Sequence, residues 1–174
     1  MLTKQELMIT IKTVRQGISV PLFSEDGEPN EAVDEENLPN EEENEDYDPE
    51  FDGPEEAEIM MEGRLIKTST RAELVYEEGE LTGMEGSTTK IAFRLDDPEL
   101  VTMMRGGAVS TALVFQPHQR HVCVYNTPFS AFEVCVHTLE VRNELLEKGE
   151  MYLDYLIEIH GAKTERCKMT LTVH

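Results

Sequence analysis

Apolar and polar residues alternate with a period of two along most of this 174-residue chain. The segment Leu7-Ile9-Ile11 shows the pattern near the N-terminus, and the same alternation resumes at Ile59. Successive side chains of a β-strand point to opposite faces of the sheet, so this period indicates strands with one buried face. The candidate strands lie near residues 5–15, 59–67, 70–77, 86–95, 99–105, 109–116, 119–126, 132–146, 150–160 and 163–173.

Short connections separate most of the candidate strands. They contain residues typical of turns, such as DDP at 96–98, GG at 106–107 and KG at 148–149. No segment carries a convincing helical stripe of apolar residues. Many short strands with short connections are typical of an antiparallel meander, and closing it into a barrel removes its exposed edges. We therefore predict an all-β fold: a single antiparallel β-barrel domain of eight to ten strands spanning residues 1–174.

Residues 24–58 interrupt the alternation with a strongly acidic segment. Of the 36 Asp and Glu residues in the chain, 18 lie here without any Lys or Arg, so the segment accounts for most of the net charge of −21. It has too few large apolar residues to offset the entropy of ordering, and its charges repel one another. We predict a disordered acidic insertion between the first two strands, which either keeps the protein soluble or binds a basic protein partner.

Composition also limits the compartment and the class of partner. The N-terminal sequence MLTKQELMITIKTV never forms the continuous apolar core of a signal peptide or a membrane span. The odd number of cysteines, 3, is typical of free thiols in a reducing compartment. We therefore predict a cytoplasmic protein that does not associate with membranes. The acidic surplus argues against nucleic-acid binding, and no cofactor is predicted.

The segment TGMEGSTTKI, residues 82–91, has two glycines and several hydroxyl side chains, as phosphate-binding loops often do. A phosphate-binding loop, however, is followed by a helix whose N-terminus points at the anion. Here β-branched and aromatic residues alternate after the glycines, which indicates a strand. Gly83 and Gly86 are therefore expected to adopt turn conformations that other residues resist.

Four longer motifs follow one another along the chain: VYEEGELTGMEGSTTKI, VTMMRGGAVSTALVF, RHVCVYNTPFSAFEV and MYLDYLIEIHG. Their order and spacing resemble those of the DUF1934, or YwiB-like, family of uncharacterised bacterial proteins, found mainly in Firmicutes. The resemblance covers roughly residues 59–173. It implies a calycin-like barrel similar to the lipocalins, in a cytoplasmic protein with no established activity. Ser130 and Gln119 stand where glycines are expected in the family, and the acidic insertion is not part of its pattern.

The segment HVCVYNTPFSAFEVCVH, residues 121–137, reads almost as a palindrome around a turn. If its strands pair as a hairpin centred on Phe129, position 121 faces 137, position 123 faces 135 and position 125 faces 133. One face would then be aliphatic, and the other would carry His121, Cys123, Tyr125, Glu133, Cys135 and His137. We predict this register because a shift by one residue would mix the two faces.

Three roles are open for the polar face of this hairpin. It could meet solvent or a partner, or it could line the barrel interior, where His121, Tyr125 and Glu133 would orient a small ligand. Its two His and two Cys could also bind zinc. Four ligands spread along a flat hairpin do not readily close a tetrahedron, so no metal site is predicted.

Arg105 and Tyr155 are the remaining candidate ligand-binding residues. Arg105 ends the apolar strand VTMMR and could meet a carboxylate or a phosphate group. A solvated arginine at the rim of the barrel is the simpler interpretation of this residue. Tyr155 is expected in the barrel wall, where its hydroxyl requires a hydrogen-bonding partner.

Small barrels either fill their interior with side chains or hold one small ligand. We expect a non-enzymatic protein that binds a small, partly apolar ligand, with Arg105, His121, Tyr125, Glu133 and Tyr155 as the polar contacts. The alternative is a protein-interaction module that uses the acidic segment or an exposed sheet face. An enzyme that uses a His–Glu pair for acid–base chemistry ranks last, because no nucleophile or metal motif accompanies the pair. No catalytic residue is predicted.

Overall fold

A computed structural model describes residues 1–18, 22–23, 28, 53–160, 162 and 164–174 of the chain. Apart from a short 3-10 helix at Glu80–Thr82, the regular structure of these residues is entirely β. The strands are β1 Thr3–Ile18, β2 Glu55–Lys67, β3 Arg71–Glu77, β4 Ser87–Arg94, β5 Asp97–Gly107, β6 Thr111–Phe115, β7 Arg120–Asn126, β8 Ala131–Glu144, β9 Glu150–Ile159 and β10 Thr164–Val173. The predicted all-β fold is confirmed, and the predicted strands coincide closely with these elements.

All the strands belong to one 10-stranded antiparallel sheet in the order β6-β5-β4-β3-β2-β1-β10-β9-β8-β7. Strand β1 joins the two halves of the sheet, because Ile9 lies opposite Met61 of β2 on one side and opposite Val173 of β10 on the other. The edge strands β6 and β7 meet at a bridge between Ser110 and Asn126. The sheet therefore curls into a nearly closed barrel, which confirms the predicted architecture.

The predicted acidic insertion at residues 24–58 lies mostly outside the described residues. Its C-terminal end belongs to β2, which begins at Glu55, so the predicted boundary at residue 58 is wrong. Strand β2 extends this far because its first residues pair with the end of β1, where Arg15 lies opposite Glu55. Lys12 Nζ also lies 3.1 Å from a carboxylate oxygen of Glu58. Acidic side chains in this part of the segment are thus on a strand next to basic ones.

Large apolar side chains fill one end of the barrel interior. The members of this layer that are almost fully buried include Phe93, Val101, Phe115, Met151 and Leu153. The ring of Phe115 packs against that of Tyr155, with centroids 4.7 Å apart. Burying a large aliphatic or aromatic side chain stabilises a protein by roughly 1.5–3 kcal/mol, so this end of the barrel holds the strands together.

A second, smaller apolar cluster lies on the outer surface of β8 and β9. Its buried members are Leu22, Phe23, Cys135, Leu139 and Leu156. Phe23 stacks on the ring of His160 with centroids 4.7 Å apart. The backbone N–H of Leu22 donates to the carboxylate of Glu158, which also accepts a hydrogen bond from Thr164 Oγ1 at 2.9 Å. Residues 22–23 are therefore held against the outside of the barrel by apolar packing and by a buried carboxylate.

Replacing Glu158 should weaken this attachment. In Glu158→Ala, the Leu22 N–H and the Thr164 hydroxyl lose a buried acceptor, which should lower the free energy of unfolding by about 1–3 kcal/mol. Glu158→Gln keeps one carbonyl acceptor and should cost less. Urea denaturation measures both variants against Glu150→Ala, which alters an exposed glutamate on the same strand. Equal destabilisation by Glu158→Ala and Glu150→Ala would contradict the proposed role of the buried carboxylate.

Candidate ligand-binding site

The end of the barrel away from the Phe93–Phe115 layer contains unfilled space. Two adjoining cavities lie there, a larger one of about 610 Å³ and a smaller one of about 240 Å³. Five residues line both cavities: Arg15, Thr82, Met84, Arg105 and Tyr155. Apolar side chains make up much of the remaining lining, including Leu113, Val134 and Ile157 in the larger cavity and Ile11, Ile59 and Met103 in the smaller. Apolar walls with a few converging polar groups are typical of small-molecule sites.

Arg105 is paired with Glu78 inside this end of the barrel. Its Nε lies 3.4 Å from a carboxylate oxygen of Glu78, and the two side chains are only 16% and 1% exposed. The alternative of a solvated rim arginine is therefore wrong. Glu78 also accepts a hydrogen bond from the Thr89 hydroxyl. Burial and the nearby Glu78 carboxylate raise the pKa of Tyr76 above its ordinary value, so this phenol stays neutral.

Arg15 on β1 contributes a second guanidinium, which is exposed and lines both cavities. It lies opposite Cys167 in the β1–β10 pairing. Burial raises the pKa of Cys167, and the contacts with Tyr155 and Arg15 oppose that rise. Burial likewise raises the pKa of Tyr155 well above its ordinary value, and the positive charges of Arg105 and Arg15 oppose it. The charges of both arginines thus act on a Tyr155 hydroxyl that stays protonated.

Three of the five predicted ligand-binding residues come together at this site. Arg105 and Tyr155 line both cavities, and Tyr125 lines the larger one. The hydroxyl of Tyr125 donates to Met84 Sδ across 3.6 Å. Since Tyr125 lies on β7 and Arg105 on β5, closure of the barrel is what brings these side chains to one cavity.

The sequence reasoning missed Arg15 and Glu78. Arg15 lies four residues after Ile11 on the inward phase of β1, and Glu78, which directly follows β3, lies two residues after the inward-facing Tyr76. Side chains two positions apart on a strand share a face, so the alternation could have indicated that both residues point into the barrel. The alternation alone does not indicate which end of the barrel is left unfilled.

The predicted register of the β7–β8 hairpin is wrong by one residue. Tyr125 lies opposite Phe132, and Val124 lies opposite Glu133. The reason is the turn at Thr127–Ser130, which has four residues, where a hairpin centred on position 129 requires an odd number. The backbone N–H of the first turn residue donates to the carbonyl of the last at 2.9 Å, and its hydroxyl donates to the same carbonyl at 3.0 Å. The turn therefore selects the register.

The polar side chains of the hairpin are consequently divided between its two faces. His121 shares the inner face with Tyr125 but lines neither cavity, and its Nε2 lies 3.2 Å from Gln116 Oε1. Glu133 points outward, where its carboxylate lies 3.2 Å from Nδ1 of His160. The predicted grouping of His121 with Glu133 is therefore wrong, and an acid–base pair between these two residues does not form.

The same register separates the four candidate zinc ligands. His121 and Cys123 lie on the inner face, whereas Cys135 and His137 lie on the outer face. Burial raises the pKa of Cys135 to about 11, so its thiol stays protonated within the outer apolar cluster. In the part of the chain that the structure describes, no three or more His, Cys, Asp and Glu side chains are grouped so that they could hold a metal ion.

The segment TGMEGSTTKI forms a turn followed by a strand, as predicted. Gly83 and Gly86 have φ angles of 70° and 82°, in the left-handed region that favours glycine. Strand β4 begins directly afterwards at Ser87. Met84, between the two glycines, lines both cavities. This turn therefore contributes an apolar side chain to the site, and no helix N-terminus is present in it to bind a phosphate.

Comparison with known proteins places the chain in a family. The family model "Domain of unknown function (DUF1934)" matches residues 43–171. The chain belongs to the DUF1934 family. Among solved structures, the crystal structure of the YwiB protein from Bacillus subtilis matches with a TM-score of 0.61 and 15% sequence identity, over 98% of this chain and 93% of that chain. No curated protein matches the chain.

The extent of the DUF1934 match refines the predicted resemblance. The match begins at residue 43, within the acidic segment, so the expectation that this segment stands wholly outside the family pattern is wrong. It leaves out β1, although β1 pairs with both β2 and β10. At 15% identity the likeness to YwiB establishes a shared fold and carries no activity with it.

No helix within the described residues has the length and apolarity needed to cross a bilayer.

A disulfide can test the observed hairpin register. Val134→Cys places a thiol directly opposite Cys123, at a separation that paired strands make suitable for a disulfide. Oxidising this variant in a Cys135→Ser background should join Cys123 to position 134, as mapped by mass spectrometry of chymotryptic peptides. The wild-type chain is the control and should stay unbridged, because Cys123 and Cys135 lie on opposite faces. A Cys123–Cys135 bond in the oxidised wild type would instead support the register centred on Phe129.

Proposed function

We propose that this DUF1934 protein is a non-enzymatic binding protein that holds one small, partly apolar ligand in its barrel. The observation that carries the proposal is the larger cavity of about 610 Å³, at which Arg105, Tyr125 and Tyr155 converge between apolar walls. Known ligand pockets have volumes of roughly 300–1,000 Å³ and combine apolar lining with a few orienting polar groups. Apolar burial would supply affinity, and the polar groups would set the orientation of the ligand.

The chemistry of the lining favours binding over catalysis. Burial raises the pKa of Tyr76, Tyr155 and Cys167, so neither a phenolate nor a thiolate nucleophile is available near neutral pH. Arg105 is held by Glu78 and supplies a fixed charge for recognition. The methionines that line the smaller cavity have flexible side chains that adapt to the shape of a ligand.

A cytoplasmic location is part of this proposal. Cys123, Cys135 and Cys167 are all free thiols. Free thiols persist in a reducing compartment, whereas secreted proteins usually pair them. Fractionation of the native host, followed by immunodetection of the protein, tests the location, and recovery in the extracellular fraction would contradict it.

A bulky side chain at position 84 should exclude a ligand without altering any strand. The neutral probe N-phenyl-1-naphthylamine fluoresces more strongly in apolar surroundings, and we expect it to bind the wild-type protein with a stoichiometry of one. Met84→Trp introduces an indole at a turn that lines both cavities, so probe affinity should fall about tenfold or more, which corresponds to about 1.4 kcal/mol.

The matched control is Met104→Trp. Met104 lies on the outer face of β5 and is 38% exposed, so the same substitution there should leave probe binding unchanged. Circular dichroism establishes that both variants are folded. If the probe does not bind the wild-type protein, or if both tryptophan variants bind it equally well, the proposed cavity is not a ligand-binding site.

A further inference from the structure

Two arginines line both cavities, and one of them is paired with a buried carboxylate. Arg15 and Arg105 line both cavities, and Glu78 lines the smaller one. The Glu78 carboxylate is engaged by Arg105. Among the described residues, no carboxylate lies within ion-pair distance of Arg15. Cys167, whose thiol is a weak acceptor, lies opposite Arg15 in the β1–β10 pairing.

Arg105 is largely buried, with a side chain only 16% exposed, whereas Arg15 is exposed. Arginine has five N–H donors and no acceptor, and it stays charged at any physiological pH. Removing such a charge from water costs free energy that a counter-charge recovers. An oxyanion placed between two guanidiniums accepts charge-assisted hydrogen bonds, which are roughly twice as strong as neutral ones. An anionic group of a ligand would therefore find N–H donors on both arginines.

The neighbourhood of Tyr155 indicates where that charge would lie. Tyr155 lines both cavities, and the charges of both Arg15 and Arg105 act on its hydroxyl. The protonated hydroxyl can donate a further hydrogen bond to an anion. Leu113 and Val134 line the same larger cavity as Tyr155 and give it an apolar wall. The polar groups are thus gathered in one place, next to the apolar space.

Three glutamates also line the cavities, and their negative charges would favour a cationic ligand over an anionic one. Glu55 and Glu56 line the smaller cavity and Glu165 lines the larger one. All three are exposed, so water and dissolved ions screen their charges. Arg15 is exposed too, and its charge is screened in the same way, whereas the largely buried Arg105 is screened less and should dominate recognition of the ligand's charge. A cationic ligand held by the exposed glutamates is the competing possibility.

We propose that the ligand is an amphipathic anion whose acidic head group binds between Arg15 and Arg105 beside Tyr155, and whose apolar body occupies the larger cavity. This inference rests on the proposed binding function. The chemistry that the site recognises is the oxyanion, which a carboxylate, a sulfonate or a phosphate monoester supplies equally well. The ligand class is therefore an organic acid with an apolar body.

Two probes with the same aromatic skeleton test the head group directly. 1-Anilinonaphthalene-8-sulfonate is N-phenyl-1-naphthylamine with one added sulfonate, so the pair differs by one negative charge. Arg15→Gln and Arg105→Gln should each weaken the sulfonate probe about tenfold, equivalent to about 1.4 kcal/mol, while the affinity for the neutral probe changes less than about twofold. Arg64→Gln removes an exposed arginine from the outer face of β2 and should change neither affinity.

Glu78→Gln should change the affinity for the sulfonate probe in the opposite direction to the arginine variants. The amide can still accept from Arg105 and Thr89, but the competing negative charge is gone. Affinity for the sulfonate probe should therefore rise severalfold, while unchanged binding of the neutral probe shows that the cavity is intact. A fall in sulfonate affinity in Glu78→Gln, or a rise in Arg15→Gln, would overturn the anionic head group in favour of a cationic one.

The outcomes separate the two levels of the proposal. If neither probe binds the wild-type protein, the binding function itself is wrong. If the neutral probe binds but the arginine variants bind the sulfonate probe as tightly as the wild type, only the head-group assignment is wrong. The same holds if the arginine variants lose both probes to the same extent, because a charge-specific contact would not affect the neutral probe.

Discussion

The barrel depends on the pairing of β1 with two partners at once. Strand β1 runs antiparallel to β2 from Thr3 to Arg15 and antiparallel to β10 from Ile9 to Ile18. Without it, β2 and β10 would be open sheet edges, and the meander would expose its apolar face to water. The fold thus requires a strand that lies before the acidic segment and outside the match to the DUF1934 model.

Because the sheet closes, one of the two alternating sets of side chains faces the barrel interior and the other faces outward. On β1 the inward series passes from Ile9 and Ile11 to Arg15, and on β5 it passes from Val101 and Met103 to Arg105. Both series change from apolar to charged toward the same end of the barrel. A guanidinium in the filled end would be buried without a partner, at a cost of several kcal/mol. Near the cavities, Glu78, Tyr155 and water can surround it.

Alternation was sufficient to predict the strands, because it reports directly which residues share a face. It was not sufficient for the register of the β7–β8 hairpin, which depends on the number of residues in the turn. The predicted register placed all four valines of the hairpin on one face. In the structure Val134 and Val136 are fully buried inside, whereas Val122 and Val124 are 46% and 50% exposed on the outside. The difference follows from a turn of four residues, which the valine pattern does not reveal.

The candidate site was predictable only in part, for a similar reason. Arg105 and Tyr155 could be recognised as a charge and a phenol on otherwise apolar strands. Glu133 could not be excluded, because its face depended on the hairpin register. Arg15 lies on the inward phase of β1, but its importance depends on the space around it. That space is a property of ten strands together and cannot be read from any one of them.

The origin of the space lies in the sizes of the inward side chains. A barrel keeps a similar circumference along its length, so small residues leave volume that large residues would fill. The filled end carries Phe93 and Phe115, whereas Thr13, Ala57 and Cys167 line the cavities at the other end. Filling the second end with large apolar residues would have stabilised the fold through additional buried area. Two guanidiniums and a buried carboxylate beside small side chains forgo that stabilisation, which is the pattern expected where the interior serves recognition.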